Sequence, residues 1–264
     1  MDRKILILGA SGFLGGVLYD KLTDVSCRAT VYGTYNTNRD DKLVKLDVLN
    51  RESVDRVISS INPDIVLWTI YDMPIEDKLT DIGIENVLSA IGSNCTFVFL
   101  STKVFNGGKG GYSECDKPDY TKQNNHLDRY AFAKISAEEK VMRHTNHIIV
   151  RPGVIYGKDG NNQWDLRMSR MIKSITNNEC IKLSKNKIST WGDVDFIAES
   201  IIYILKKSFR GIIHLGNNEK ESGYSMNIKI AQSLGLDTNL IIPIEDDFAD
   251  NSYDLSKQWK VLSS

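Results

Sequence analysis

The chain has 264 residues, of which 41% are hydrophobic and 25% are charged, and its formal net charge at pH 7 is −1. This length is enough for one full-sized domain and a modest second region, and the composition is that of an ordinary soluble globular protein. The near-zero charge gives no electrostatic reason to expect nucleic acid or an anionic membrane as a partner. No apolar run approaches the length of a membrane span.

The cysteines and the first residues of the chain indicate the cellular compartment in which the protein is expected. Cys27, Cys95, Cys115 and Cys180 lie far apart without metal-ligand spacing, which is typical of free thiols in a reducing environment. The histidines do not cluster either, so no metal site is expected. A strand is predicted almost from Met1, which leaves no room for a signal peptide, and we therefore expect a cytoplasmic protein.

The first predicted elements are a buried strand, a glycine turn and a helix. Residues 5–8 form an uninterrupted apolar run, which favours a strand covered on both faces. Gly9, Gly12 and Gly15 follow at a spacing of three, and apolar residues at helical spacing come next. Glycine lets the backbone approach an anion, and a helix N-terminus presents free N–H groups, so this order predicts a pyrophosphate cradle. The alternative is that the glycines only make a tight turn.

The end of the second predicted strand, residues 29–35, bears on cofactor choice. An Asp or Glu at this point would hydrogen-bond the ribose 2′-hydroxyl of NAD. The chain has polar residues here, including Asn36, followed by Arg39, whose guanidinium would bind a 2′-phosphate. NADP is therefore favoured and NAD is possible. The alternative is that Arg39 is a solvated loop charge and that Asp40 or Asp41 takes the acidic role.

Strands and helices then alternate. The predicted elements are a short strand at 42–48, a helix from an Asn50 or Ser53 cap to Ile61, a strand at 65–70, a helix at 84–91 and a strand at 96–100. This rhythm predicts an α/β fold with a Rossmann-type, doubly wound parallel sheet.

A pair of reactive side chains follows a long polar loop at 106–125. Tyr130 and Lys134 stand at i and i+4 and share one face of a predicted helix. A lysine ammonium beside a phenol favours the phenolate, which predicts a lowered pKa for Tyr130 and an acid suited to neutral pH. The spacing alone is common, and it becomes informative because it follows the glycine cradle and the Ser101-Thr102 strand end. On the same helix, residues 138–140 are interpreted as a solvated face.

The remaining elements predict a second region. They are a strand from 147 that runs into a turn at 157, a helix at 166–175, a helix beginning in the segment 189–195, a strand at 211–216, and a helix capped by Ser225 that ends at Gly235. We expect an NAD(P)-binding domain at 1–156 and a mainly substrate-binding region at 157–264. The strand at 211–216 is expected to return to the first sheet.

Five stretches spread along nearly the whole chain occur together in one known family. They are Gly9-Ala10-Ser11-Gly12-Phe13-Leu14-Gly15, Asp47-Val48, Ser101-Thr102-Lys103-Val104-Phe105, Tyr130 to Lys134, and Arg151-Pro152-Gly153-Val154-Ile155-Tyr156-Gly157. With them the chain resembles the extended short-chain dehydrogenase/reductase family. It is most similar to the dTDP-4-dehydrorhamnose reductase group, through residues 104–107, 112–114, 189–191 and 214–217.

The resemblance implies a role for each matching residue. Tyr130 would protonate the substrate carbonyl, Lys134 would lower the pKa of Tyr130 and bind the nicotinamide ribose, and Ser101 or Thr102 would hold the carbonyl. The implied cofactor contacts are Gly9, Ser11, Gly12, Phe13, Leu14, Gly15, Asn36, Arg39, Asp47, Val48, Thr69, Ile70, Tyr71, Tyr130, Lys134 and Pro152. The implied substrate contacts are Val104, Asn162, Trp164, Arg167, Thr190 and Trp191, for which the alternatives are core or lid packing (Trp164, Trp191) and a solvated helix face (Arg167).

The implied function is an NADPH-dependent reductase of a nucleotide-linked 4-keto sugar, and a homodimer is common among such relatives. The chain departs from the family at residues 68–71, where small residues are usual, and at Lys103, where an acidic residue is usual. A dehydratase is disfavoured by Lys103. The alternatives are an epimerase on the same scaffold and a non-catalytic NAD(P)-binding regulatory subunit, of the kind found in methionine adenosyltransferase.

Overall fold

The structure is a computed structural model that describes residues 3–24, 29–120 and 125–264. The chain divides into two compact units with interleaved segments. Unit 1 comprises Met1–Val104, Tyr120–Arg151 and Ala198–Ile213, and unit 2 comprises Phe105–Asp119, Pro152–Ile197 and His214–Ser264. Cys27 lies outside the described residues.

A seven-stranded sheet organises unit 1. Its strands are β1 (Arg3–Leu8), β2 (Ala29–Tyr35), β3 (Val44–Lys45), β4 (Ile65–Trp68), β5 (Thr96–Leu100), β6 (His147–Pro152) and β10 (Gly211–Leu215). The strand order is β10-β6-β5-β4-β1-β2-β3, and the pairings from β6 through to β3 are parallel. This order, with helices flanking the sheet, confirms the predicted Rossmann-type α/β fold.

Helices cover both faces of this sheet. They are α1 (Phe13–Asp24), α2 (Arg51–Ile61), α3 (Glu76–Lys78), α4 (Ile84–Ala90), α5 (His126–Val141) and α7 (Val194–Lys206), with a 3₁₀ turn at Met73–Ile75 and a π turn at Leu79–Gly83. The cap of α2 is Asn50, whose side chain accepts from Ser53 N, and Asn62 ends the helix with φ of 49°.

The core of unit 1 follows from the two-residue period of its strands. Leu6, Val66, Phe97 and Ile149 point to one face and pack with buried residues of α2, α4 and α5. The alternate residues face the other side and are also buried; there Leu67 shares a small cavity with residues of α1 and α7. Each fully buried aliphatic or aromatic side chain contributes about 1.5–3 kcal/mol to folding.

Unit 2 has smaller sheets and its own core. Its elements are β7 (Val154–Tyr156), α6 (Leu166–Thr176), β8 (Ile181–Ser184), β9 (Lys187–Asp193), β11 (Lys220–Ser222), α8 (Gly223–Ser233), β12 (Ile241–Ile244), β13 (Ala249–Asn251) and α9 (Ser256–Leu262), with a 3₁₀ turn at Thr238–Leu240. Strand β9 pairs with β7, β11 and β13, and β8 pairs with β12. Met168, Met171, Trp191 and Ile230 lie in the core.

The glycine-rich loop at 105–119 belongs to unit 2 and is tied to the C-terminal segment. Gly108 N donates to Asn251 Oδ1 at 3.0 Å, and Tyr112 N donates to Ser252 O at 3.0 Å. The ring of Tyr112 stacks on Phe105 with centroids 4.2 Å apart. This long loop is therefore an ordered part of the unit.

Some predicted elements are wrong. Residues 189–193 form the end of strand β9, and the helix starts only at Val194, because the segment pairs with three strands that lie far from it in the sequence. The N-terminal cap of α8 is Ser222 rather than Ser225. The predicted stop at Gly235 is confirmed, because Gly235 follows the last helical turn with φ of 67°. The tail beyond it, for which no element is predicted, contains two strands and a helix. Within the described residues, none of the helices has the length and hydropathy needed to cross a bilayer.

Candidate active site

Gly9, Gly12 and Gly15 surround the start of α1, and a side chain would be unfavourable at each of them for a different reason. Gly9 has φ of +90°, which side chains rarely adopt. A Cβ on Gly15 would lie 2.2 Å from Gly9 O, whereas a Cβ on Gly12 would meet only Gly9 O, at 3.2 Å. The first glycine makes the turn, the second leaves an exposed backbone that an anion can approach, and the third allows the helix to pack closely. These residues fit a dinucleotide pyrophosphate.

The surrounding side chains fix this turn. Gly9 N donates to Thr34 Oγ1 at 3.2 Å, and Thr69 Oγ1 donates to Leu8 O at 2.9 Å. Ser11 and Phe13 are half-buried at the helix start, and Leu14 is buried. The first turn of α1 leaves backbone N–H groups without intrahelical acceptors, and these are the groups that would bind phosphate oxygens.

The predicted adenosine contacts lie at the carboxyl ends of β2 and β3. Arg39 Nε lies 2.9 Å from Asp41 Oδ1, and both side chains are largely exposed, at 78% and 84%. An exposed pair of this kind is weak, so Arg39 can exchange this partner for a phosphate. Asn36 is exposed, Asp47 accepts from Leu49 N, and Val48 is buried.

Thr102 rather than Ser101 is the hydroxyl that contacts Tyr130. The side chains of Thr102 and Tyr130 are hydrogen-bonded. The Ser101 hydroxyl is buried and donates to Glu138 Oε1 at 2.5 Å. Of the two hydroxyls after β5, Thr102 is the one that interacts with the phenol. Which of them holds the substrate carbonyl stays a prediction.

Lys134 has a partner that the sequence did not predict. Its Nζ lies 2.9 Å from Glu76 Oε1, and both side chains are almost completely buried, at 2% and 1% exposure. The same ammonium donates to Ile70 O at 3.4 Å and to Leu100 O at 3.3 Å. Three oxygens, one of them a carboxylate, therefore surround the lysine charge.

The pKa of Tyr130 is raised, not lowered as predicted, and burial is the largest cause. Burial raises the pKa of Tyr130 well above its usual range, the charge of Glu76 raises it further, and the Thr102 hydrogen bond acts in the opposite direction. The ring of Tyr71 packs edge-on against Tyr130 at 5.3 Å and adds to the rise. Because Glu76 neutralises the ammonium, the lysine does not favour the phenolate as predicted.

A second buried ion pair shows that the interpretation of residues 138–140 as a solvated face is wrong for Glu138, whereas Glu139 is exposed. Glu138 is buried, and Arg151 binds it through Nη2 at 2.6 Å and Nε at 3.0 Å. Ser101 supplies a third donor to the same carboxylate. The sequence signal was available, because Glu138 stands at i+4 from Lys134 and follows the buried Ala137 on the same helix.

Three of the six predicted substrate residues are buried in the fold. Val104 is buried in unit 1. In unit 2, Thr190 Oγ1 accepts from Tyr253 N at 2.8 Å, and Trp191 lies in the core with its Nε1 donating to Glu221 O. The structure therefore supports the alternative interpretation of Trp191 as a core residue. Pro152 is also buried, and its carbonyl accepts from Tyr253.

The other three lie together in unit 2, in the segment that leads into α6. Asn162 is exposed and has φ of 61°, and Lys158 Nζ lies 5.3 Å from the centre of the Trp164 ring. Arg167 is half-exposed and contacts Asp165 and the carbonyl of Ile155. These side chains are accessible to a ligand.

Unit 2 also contains a cavity that the sequence did not predict. Its volume is about 440 Å³, and its lining includes Tyr156, Asn217, Glu219, Glu221 and Lys229. Lys229 pairs with both glutamates. Across the described part of the chain, no group of three His, Cys, Asp or Glu side chains is placed to hold a metal ion.

Comparison with known proteins places this geometry in a family. The family model described as RmlD substrate binding domain matches residues 3–252. Methionine adenosyltransferase 2 subunit beta from Danio rerio is 24% identical over 263 residues, which cover 92% of this chain and 78% of that protein.

Two solved structures share the fold. A hypothetical dTDP-4-dehydrorhamnose reductase from Sulfolobus tokodaii superposes with a TM-score of 0.83 at 23% identity, covering 99% of this chain and 96% of that one. The dTDP-4-dehydrorhamnose reductase of Bacillus anthracis, in complex with NADP, has a TM-score of 0.78 at 23% identity, covering 98% and 93%.

Proposed function

The chain belongs to the RmlD substrate-binding domain family, and from that premise we propose that it is an NADPH-dependent reductase of a nucleotide-linked 4-keto sugar. The observation that carries the proposal is the pair of hydroxyls formed by Thr102 and Tyr130, which lies beside Lys134 where β4 and β5 end. Ligands of open α/β sheets bind at this edge.

The two hydroxyls have complementary tasks. Thr102 and Tyr130 both donate to the ketone oxygen and so orient it. The O–H bond of Tyr130 then breaks, and its proton goes to that oxygen as the carbonyl carbon accepts a hydride. Reduced nicotinamide is the source of that hydride when the cofactor is bound. Lys134 donates to the carbonyls of Ile70 and Leu100 and thereby stabilises the backbone where β4 and β5 end.

NADP is the proposed cofactor for two reasons. The glycine cradle fits a pyrophosphate, and Arg39, which follows β2 and pairs with the exposed carboxylate of Asp41, is an exposed cation that would bind a 2′-phosphate. The related reductase of Bacillus anthracis was crystallised with NADP. The nucleotide-sugar substrate is proposed from the family, and Asn162, Trp164 and Arg167 are accessible groups able to bind its polar and aromatic parts.

The test is NADPH oxidation, followed by absorbance, with dTDP-, GDP- and UDP-linked 4-keto sugars. One substrate should support turnover, and Tyr130→Phe should lower kcat by about 10²–10⁴-fold while NADPH affinity is kept. Thr23→Val is a matched control, since among the residues that the structure describes this hydroxyl bonds to carbonyls of its own helix. If NADPH binds but no sugar is reduced, and an epimerised sugar accumulates instead, the reductase proposal is wrong.

A non-catalytic NAD(P)-binding subunit is the second candidate. It is favoured by the similarity to methionine adenosyltransferase 2 subunit beta and by the enclosure of Lys134 among three oxygens. A protein of this kind would bind NADPH without turnover on any sugar, and Tyr130→Phe would leave its biological activity unchanged. The same variant therefore separates the two candidates.

A further inference from the structure

The cavity of unit 2 is formed by the end of β7, the segment 217–221 and one side of α8. Its volume of about 440 Å³ lies within the range of sites for small molecules. The side chains that line it are mostly polar or charged, and they include Tyr156, Asn217, Glu219, Glu221, Met226, Lys229 and Ile230. The proposed reduction at Tyr130 uses none of them.

Two carboxylates and one ammonium determine the charge of this cavity. Lys229 Nζ lies 2.8 Å from Glu219 Oε2 and also contacts Glu221 Oε1. Lys220, which stands between the two glutamates in the sequence, has its own partner, with Nζ 2.8 Å from Asp250 Oδ2. The two carboxylates and the ammonium therefore leave one net negative charge, which disfavours an anionic ligand such as a phosphate.

Glu221 and Lys229 differ in how accessible they are. The side chain of Glu221 is only 10% exposed, and within the described part of the chain its Oε2 has no hydrogen-bond partner. A buried carboxylate oxygen without a donor is unfavourable, and a donor from a ligand would satisfy it. The side chain of Lys229 is 55% exposed, so its ion pairs are weak and another cation can replace it.

The other side chains of the cavity are uncharged. Met226 and Ile230 are buried apolar residues of α8. Tyr156 Oη accepts from Asn217 Nδ2 at 3.3 Å, and burial first and the charge of Asp193 second raise the pKa of this phenol, which is therefore neutral at pH 7. Apolar side chains in the same cavity as two carboxylates suit a ligand with an aliphatic body and a cationic end.

We propose that this cavity binds an aliphatic primary amine, whose ammonium group takes the place of Lys229 Nζ between Glu219 and Glu221. An ammonium has three N–H donors, enough for the two oxygens that Lys229 contacts and for the unpartnered Glu221 Oε2. Lys229 then extends into solvent, and the aliphatic part of the ligand lies against Met226 and Ile230. The binding is non-covalent, and it does not depend on the proposed reductase function.

The experiment is a ligand titration of the full-length protein, followed by NMR of ¹³C-labelled methionine methyl groups. Met226→Leu identifies the Met226 resonance among the six methionines. The probe is 1,4-diaminobutane, whose amines are charged at pH 7, and 1,4-butanediol is the uncharged control of equal length. The diamine should shift the Met226 resonance to saturation, whereas the diol and inorganic phosphate should not.

Two pairs of variants separate direct contact from a general effect of charge. Lys229→Met removes the side chain with which the amine competes and should tighten diamine binding about fivefold. Lys185→Met removes an equal charge from another ion pair of unit 2, the one with Glu245, and should leave the affinity unchanged. Glu221→Gln should weaken binding by at least about tenfold, and Glu245→Gln should not.

The proposal is wrong if the diamine leaves Met226 unshifted, if the diol or phosphate shifts it equally, or if Lys185→Met tightens binding as much as Lys229→Met. Weaker binding in Lys229→Met also overturns it, because the lysine would then hold the ligand. Near-UV circular dichroism shows which variants are folded, and if Lys229→Met or Glu221→Gln is not, the comparison of diamine with diol on the wild type decides. A protein that reduces no sugar should still show these shifts.

Discussion

Ser101 and Thr102 are neighbours in the chain, yet their hydroxyls serve different partners: Ser101 donates to the buried Glu138, and Thr102 is hydrogen-bonded to Tyr130. The first contact stabilises the fold, and the second belongs to the candidate active site. Two substitutions that each remove one hydroxyl should therefore have opposite profiles.

Thr102→Val should lower kcat by about 10²-fold, because one donor to the developing alkoxide is lost, with little change in stability. Ser101→Ala should lower the free energy of unfolding by about 1–3 kcal/mol, because it leaves a buried carboxylate short of one donor, with a smaller change in kcat. Urea unfolding and steady-state kinetics check both. The assignment fails if Ser101→Ala loses turnover and Thr102→Val keeps it.

Arg151→Met should be the most destabilising change among those considered. Arg151 binds Glu138 through two nitrogens, and both side chains are buried. Loss of the arginine leaves an uncompensated charge in the core, which costs about 3–5 kcal/mol. The double variant Arg151→Met, Glu138→Leu should recover part of that loss. A double variant less stable than Arg151→Met would contradict this explanation.

The glycines of the cradle give a matched pair of variants. Gly15→Ala should lower the free energy of unfolding by about 1–3 kcal/mol, because the new Cβ would meet Gly9 O at 2.2 Å and Thr69 Oγ1 at 2.6 Å. Gly12→Ala should fold nearly normally but weaken NADPH binding about tenfold, or about 1.4 kcal/mol. Thermal unfolding and cofactor fluorescence titration separate the two effects. Normal NADPH affinity in Gly12→Ala would mean that the cradle binds no phosphate there.

The raised pKa of Tyr130 predicts a pH dependence of stability. The folded protein favours the neutral phenol, so the contribution is fully present below the unfolded value of about 10 and is lost as pH rises toward the folded pKa. The stability of the wild type relative to Tyr130→Phe should therefore fall above about pH 10 and stay constant between pH 7 and 9. Urea unfolding of both proteins at several pH values measures this difference. If the wild type instead becomes more stable relative to Tyr130→Phe as pH rises, the folded protein favours the phenolate and the prediction is wrong.

Local patterns were sufficient to predict the parallel sheet, whereas the choice of reactive residues stays a prediction. The strand at 29–35 and the strand at 96–100 have the bounds that the sequence predicts, because apolar runs flanked by polar turns leave few alternatives. The sequence wrongly predicts that a helix begins in the segment 189–195. Residues 189–193 belong to a strand whose partners, such as β13, lie far away in the chain and leave no local signal. Periodicity reports the local backbone and does not identify a distant partner.

The sequence brings part of the candidate site together, but its members stay a prediction and its electrostatics could not be predicted. The spacing of Tyr130 and Lys134 places both on one helix face, as the sequence indicates. The pairing of Lys134 with Glu76, and of Ser101 with Glu138, depends on side chains that converge from separate elements. Helical spacing cannot show how deeply a phenol is buried, or whether the ammonium beside it also faces a carboxylate, and burial first and the carboxylate second raise the pKa of Tyr130.

The loop at 105–119 is synthesised well before the residues to which its backbone bonds. Its backbone bonds run to Asn251, Ser252 and Asp254, close to the end of the chain. Until residues 251–254 have been synthesised and released from the ribosome, these donors and acceptors of the loop lack their partners. The loop therefore takes its final form only after that point, and a chain that lacks residues 251–254 should expose the loop to proteases.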